Sequence, residues 1–144
     1  MANSLSTTLD AVLSYMMASG RFRGGAKIGE PKEAPPDWYG ALIMDQAEVI
    51  GTTLSGTIER RVVIIRVYHN MLDDPEQTER DMATVHAEIV EDLLGEYDLG
   101  ASVRNVDPTG LTAQFAYVTV GSTMYRVMDL RVPVIVDDSA SFAA

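Results

Sequence analysis

With 144 residues, 47% of them hydrophobic and 22% charged, the chain has the size and composition of one globular domain with a real core. It contains no cysteine, which excludes disulfides and thiolate metal sites and fits a reducing compartment. The formal charge of −10 comes without a dense basic cluster, so sequence-specific nucleic acid binding is not expected.

That charge is unevenly placed. Residues 1–40 balance four basic residues (Arg21, Arg23, Lys27, Lys32) against four acids, while the remainder sets seven arginines against seventeen acids. The N-terminus lacks the basic region and apolar core of a signal peptide. The longest strictly apolar run, Val62–Ile65, is far too short to span a membrane.

In chain order, Leu5, Leu9, Val12, Leu13, Met16 and Met17 recur at helical spacing and predict a helix over about 5–19. Ser4 or Ser6 is placed to cap it and Gly20 to end it. Residues 20–36 follow with four glycines, three prolines and four basic residues. This composition predicts a flexible surface loop over about 20–37, or one that orders on a partner. Its Gly24-Gly25 pair lacks the Gly-Lys-Ser/Thr ending and the preceding strand of a phosphate cradle.

Trp38–Met44 reads as a first strand, followed by an irregular connection through Gly51–Gly56. Thr57–Tyr68 reads as an interior strand, because Val62–Val67 is apolar on both faces. The next helix has clear start signals: Asp74 as N-cap, Pro75 in the first turn and Gln77 at capping-box spacing. Met82, Val85, Ile89 and Leu93 form its buried stripe, and Gly95 its end. Ten acids and one arginine lie between Asp73 and Asp98, which places most of the net charge on this helix and its flanks.

Strands at about 102–106, 111–120 and 124–136 complete the pattern as an antiparallel meander. Asp107-Pro-Thr-Gly110 forms the first turn between them and Gly121-Ser-Thr123 the second. The last strand alternates with period two. Met124, Met128, Leu130, Val132, Val134 and Val136 share one face, interrupted only by Arg126. Pro133 cannot donate a ladder hydrogen bond, so pairing is expected to weaken or change partner there. Beyond it, the chain is expected to lie at an edge or against a neighbour. Residues 137–144 read as a loosely held tail. The fold class is therefore α+β: a mostly antiparallel sheet packed against an N-terminal helix and a longer central one.

No catalytic constellation stands out, and neither an enzymatic activity nor a cofactor is expected. His69, Asp73 and Asp74 are the best metal candidates, but Asp74 is already needed as a cap. Glu88, Glu91 and Asp92 share a helix face that reads as a solvated acidic surface, and His86 lies beside the core stripe. The serines occur in no nucleophile elbow. Asp129 and Arg131 lie on one strand face, placed to pair with each other or with a neighbouring strand.

The run Gly121-Ser-Thr-Met-Tyr-Arg-Val-Met-Asp-Leu-Arg-Val-Pro-Val134 resembles the C-terminal part of tail terminator proteins of long-tailed, siphovirus-type bacteriophages. The order of elements is similar too, from N-terminal helix through Gly/Pro loop, central strands and long helix to closing strands. The resemblance implies a structural virion protein made in the bacterial cytoplasm. Such proteins form a hexameric ring that caps the tail tube and meets the neck connector. It implies as partners further copies of the chain, the tube protein and a connector protein, with no membrane. On that reading Arg21, Arg23, Lys27, Lys32 and Trp38 would order the 20–38 loop against tube or neighbour, and Arg126 and Arg131 would help build the subunit contact. Two other readings stand beside it: a different neck, tail-completion or tube protein, and a small metal-dependent hydrolase using His69, Asp73 and Asp74.

Overall fold

A computed structural model describes residues 4–54, 56–70, 74–95 and 105–137. The elements in order are α1 (Leu5–Ala18), β1 (Ala26–Ile28), β2 (Tyr39–Thr53), β3 (Gly56–Asn70), α2 (Pro75–Gly95), β4 (Asn105–Val106), β5 (Thr112–Val120) and β6 (Thr123–Asp137). They build the expected α+β architecture, with two helices on one face of a mostly antiparallel sheet. Both residues 101–104 and the acidic flank at Asp73, Glu96 and Asp98 lie outside the described residues, as does the tail after Asp137.

The sheet runs β1-β2-β3-β6, and the far edge of β6 is shared between β5 and β4. Among the described strands, only β1 is parallel to its neighbour. Period-two alternation places Leu42, Val63, Ile65, Val67, Met128, Leu130, Val132 and Val134 on the helix face, where they meet Val12 and Met16 of α1 and Met82, Ile89 and Leu93 of α2. Helix α1 packs over β1 and β2, and α2 over β6. Gly40 permits the close approach of α1: a Cβ there would sit 2.6 Å from Met16 Cε and from the Phe22 ring. On the opposite face Tyr39, Ala41, Tyr68, Tyr125 and Val127 form a second, smaller cluster.

Helix caps follow the sequence with one exception. Ser4 caps α1 through Thr7 N, and Asp74 caps α2 through Gln77 N. The Gln77 side chain does not reach back to the cap, as a capping box requires; it donates to Asp81 one turn on.

Four expectations need correction. The stretch read as an irregular connection belongs to β2, which continues to Thr53 in register with β3, accommodating irregularities between Met44 and Gln46 and between Val49 and Gly51. Bulges absorb the extra residues without ending the strand. The 20–37 segment is not without regular structure: it contains β1, and Arg21 near its start and Asp37 at its end are held by Asp92 and by Asn70 N.

The closing strands are not a meander. β4 and β5 take successive stretches of one β6 edge, β5 opposite Thr123–Arg131 and β4 opposite Val134–Ile135. Pro133 sits at the change of partner, and its carbonyl accepts from Asp107 N at 2.8 Å. Carbonyl and amide of a strand residue point the same way, so the missing N–H falls on the side where no partner strand is in register. The other side of β6 stays paired with β3 as far as Asp137. Val134 and Ile135, just after Pro133, are therefore interior to the sheet, not at an edge.

Candidate assembly surface

The residues expected to face a partner divide into those the chain uses internally and those it leaves in solvent. Arg21 belongs to the first group. Its Nε lies 3.1 Å from Asp92 of α2, and it also pairs with Glu88. The hydrogen bond to Asp92 raises the guanidinium pKa further. Two acids of the α2 surface are thus occupied in fastening the end of α1 to α2. Trp38 is buried and stacked on His69, with ring centroids 4.0 Å apart. Its φ of 58° is costly for a bulky residue. Asp37 supports that turn: its Oδ1 accepts from Trp38 N and Asn70 N and lies 2.7 Å from His69 Nδ1.

Arg126 and Arg131 are also committed. Arg126 Nε sits 2.7 Å from Glu79 of α2, and its Nη2 donates to the other Glu79 carboxylate oxygen at 3.3 Å. Its guanidinium lies over the rings of Tyr117, at 4.4 Å, and Phe115, at 5.7 Å. Arg131 spans β3 to reach Asp45 and Gln46 of β2. Asp129 pairs with Arg66 of β3 through two hydrogen bonds, at 2.6 and 2.9 Å, and not with Arg131. That bidentate pair is the largest cause of the raised Arg66 pKa. Arg66 also reaches Glu30, whose other oxygen accepts from Tyr68 OH at 2.7 Å. Tyr125 OH donates to Pro35 O at 2.6 Å. Glu30 and Pro35 thereby fasten residues 29–36 across the back of the sheet.

The described metal candidates, His69 and Asp74, do not converge as ligands. Asp74 is a helix cap, His69 lies between Asp37 and Asp81, and Asp73 is outside the described residues. Among the described residues, no group of three or more His, Asp or Glu side chains is arranged to hold an ion. His86 is half-buried beside Phe115.

Arg23, Lys27 and Lys32 remain. All three are exposed, and among the described residues they enter no ion pair, whereas Arg21, Arg60, Arg61, Arg66, Arg80, Arg126 and Arg131 each do. The uncompensated positive charge of the described chain is concentrated in ten residues around β1.

Two further surfaces escaped the sequence reading. The first is an arm, the outer half of the β2–β3 hairpin. β1 pairs with β2 only from Gly40 to Leu42, which leaves the outer edge of β2 open from Ile43 onward among the described residues. Every residue from Asp45 to Ile50 is exposed, and Val49, Ile50 and Leu54 present apolar side chains to solvent. The second is β5, whose outer edge is likewise open and which exposes Phe115 and Tyr117, with Met124 nearby on β6. The available signal was the pair Val49-Ile50, which has no polar alternation to hide it.

The sequence matches no known family model and no curated protein.

Proposed function

We propose that the protein is a structural subunit that assembles with copies of itself into a ring, and that it acts as a tail terminator of a long-tailed bacteriophage. One observation carries the assembly part: among the described residues two unlike open edges flank a single sheet, β2 with its apolar arm on one side and β5 with its exposed aromatics on the other. Open edges with apolar side chains are templates for another chain, and proteins that stay monomeric usually blunt them. Unlike surfaces on one subunit give heterologous contacts, which close into rings when the rotation allows. The assignment to a phage tail rests on the resemblance of the 121–134 run and on the order of elements.

In this role the ring stops growth of the tail tube and offers its other face to the connector. The test has two steps. Native mass measurement of the purified protein is expected to give one closed oligomer, a hexamer on the tail-terminator reading. Added to polymerising tube protein, that oligomer is expected to halt elongation. A monomer at every concentration overturns the assembly reading. Growth of the protein alone into long tubes overturns the terminator role and favours a tube subunit, a reading to which the projecting arm is equally suited.

A further inference from the structure

We infer that the arm of one copy docks into a hollow beside β1 on a second copy. The inference rests on the self-assembly reading above and names the contact that would make it. The hollow, of about 540 Å³, lies where residues 29–36 fold over the back of the sheet; Lys27, Ile28, Pro31, Lys32, Pro35 and Tyr39 line it. Its lining is largely apolar and carries two lysines against Glu30 and Glu33. Ile28 is exposed, Lys27 and Lys32 enter no ion pair among the described residues, and Glu30 is already held by Arg66 and Tyr68, so with exposed Glu33 counted the hollow keeps an excess of one positive charge.

The arm has the complementary chemistry. Val49, Ile50 and Leu54 are exposed apolar residues, and Leu54 is completely uncovered. Glu48 beside them is exposed and in no ion pair among the described residues. The β5 edge fits the arm less well. Thr112–Val120 carries no charge, and the cation over its aromatics is already paired with Glu79.

An arm in the hollow comes from a second copy. Leu42 of β2 is in register with Ile28 at the hollow, and Thr52 lies ten residues further along the same strand. At about 3.3 Å per residue the arm is some 33 Å from its own hollow. The strand that carries both surfaces holds them apart, so each arm is available only to another molecule. Arm and hollow are different surfaces, so the contact propagates head to tail into a ring or an open filament, or is exchanged reciprocally in a two-fold dimer.

Oligomer mass against concentration tests this on the full chain, with far-UV circular dichroism and thermal melting to confirm that each variant folds. Lys27→Glu combined with Lys32→Glu is expected to weaken association roughly tenfold or more, through like charge against Glu48. Adding Glu48→Lys to that pair is expected to recover much of the loss. Leu54→Asp is expected to cost about a hundredfold, because a charge then enters an apolar contact. Wild-type-like assembly by the lysine variant, no recovery on adding Glu48→Lys, or an unaffected Leu54→Asp each overturns the inference and leaves the ring reading standing. A closed dimer that responds to all three changes supports the docking and overturns the ring. A wild-type monomer at every concentration overturns both.

Discussion

The two halves of the β2–β3 hairpin are made of the same strands and differ in almost everything else. From Tyr39 to Met44 and from Val62 to Tyr68, the pair lies between the helices on one face and the tyrosine cluster with residues 29–36 on the other. From Asp45 outward it keeps its ladder to β3 but loses its cover, and both faces of β2 meet solvent. The irregularity between Met44 and Gln46 marks the boundary. Backbone pairing is therefore sufficient to carry a strand past the core, but only side-chain burial assigns it to the core. One half stabilises the domain; the other is free for something else.

The sharpest way to break that comparison is to truncate matched apolar residues in each half. In the inner half, Ile65→Ala or Leu42→Ala, both fully buried, is expected to destabilise the domain by about 2–5 kcal/mol in urea unfolding, since each leaves a cavity between sheet and helices. Next in size is Gly40→Ala. The new methyl would meet Met16 and Phe22 at 2.6 Å, and the overpacking is expected to cost about 1–3 kcal/mol. A normal melting temperature for this variant would mean that α1 can lift from β2 without loss.

The tyrosine cluster gives a pH test of the inner half. Burial, reinforced by the Glu30 carboxylate, pushes the Tyr68 pKa up to about 12, and burial raises Tyr39 and Tyr125 in the same direction. These groups hold their protons more tightly folded than unfolded. Their contribution is fully present below the unfolded value of about 10 and is lost as pH rises through the folded value. Melting temperature is thus expected to fall between about pH 10 and 12, in step with phenolate absorbance. Tyr68→Phe should flatten part of that slope. An unchanged slope would place the alkaline loss elsewhere.

Much of this architecture was legible in the sequence, for identifiable reasons. β6 declared itself by uninterrupted alternation, α2 by Asp74-Pro75 and a 3.6-residue stripe, and β3 by an apolar centre too short for a helix. The outer half of β2 was not legible. Gly51, Gly56 and the threonines between them carry turn chemistry, while the ladder that keeps β2 extended to Thr53 comes from Gly56–Val62, which lies alongside only once the hairpin closes. β1 was hidden in the same way: three residues pair only because β2 offers them an edge. Charge placement was half legible. The early basic segment was visible in composition, but composition could not separate Arg21, committed to Asp92, from Lys27 and Lys32, committed to nothing among the described residues.

The smallest expected effect is the most informative about the arm. Val49→Ser and Ile50→Ser remove apolar side chains that are already about half exposed, at 56% and 48%. Little burial is lost, so stability is expected to change by no more than about 0.5 kcal/mol, even though the chemical change resembles one that would be severe at Val63 or Ile65. The same substitutions are expected to lower oligomer mass at a given concentration, since the surface they alter is the one offered to another chain. A loss of 2 kcal/mol or more in the monomer would show the arm packed against the chain's own residues, and the contrast between the two halves would fall. Unchanged stability with weakened assembly is what a strand carried beyond its core for a second molecule should give.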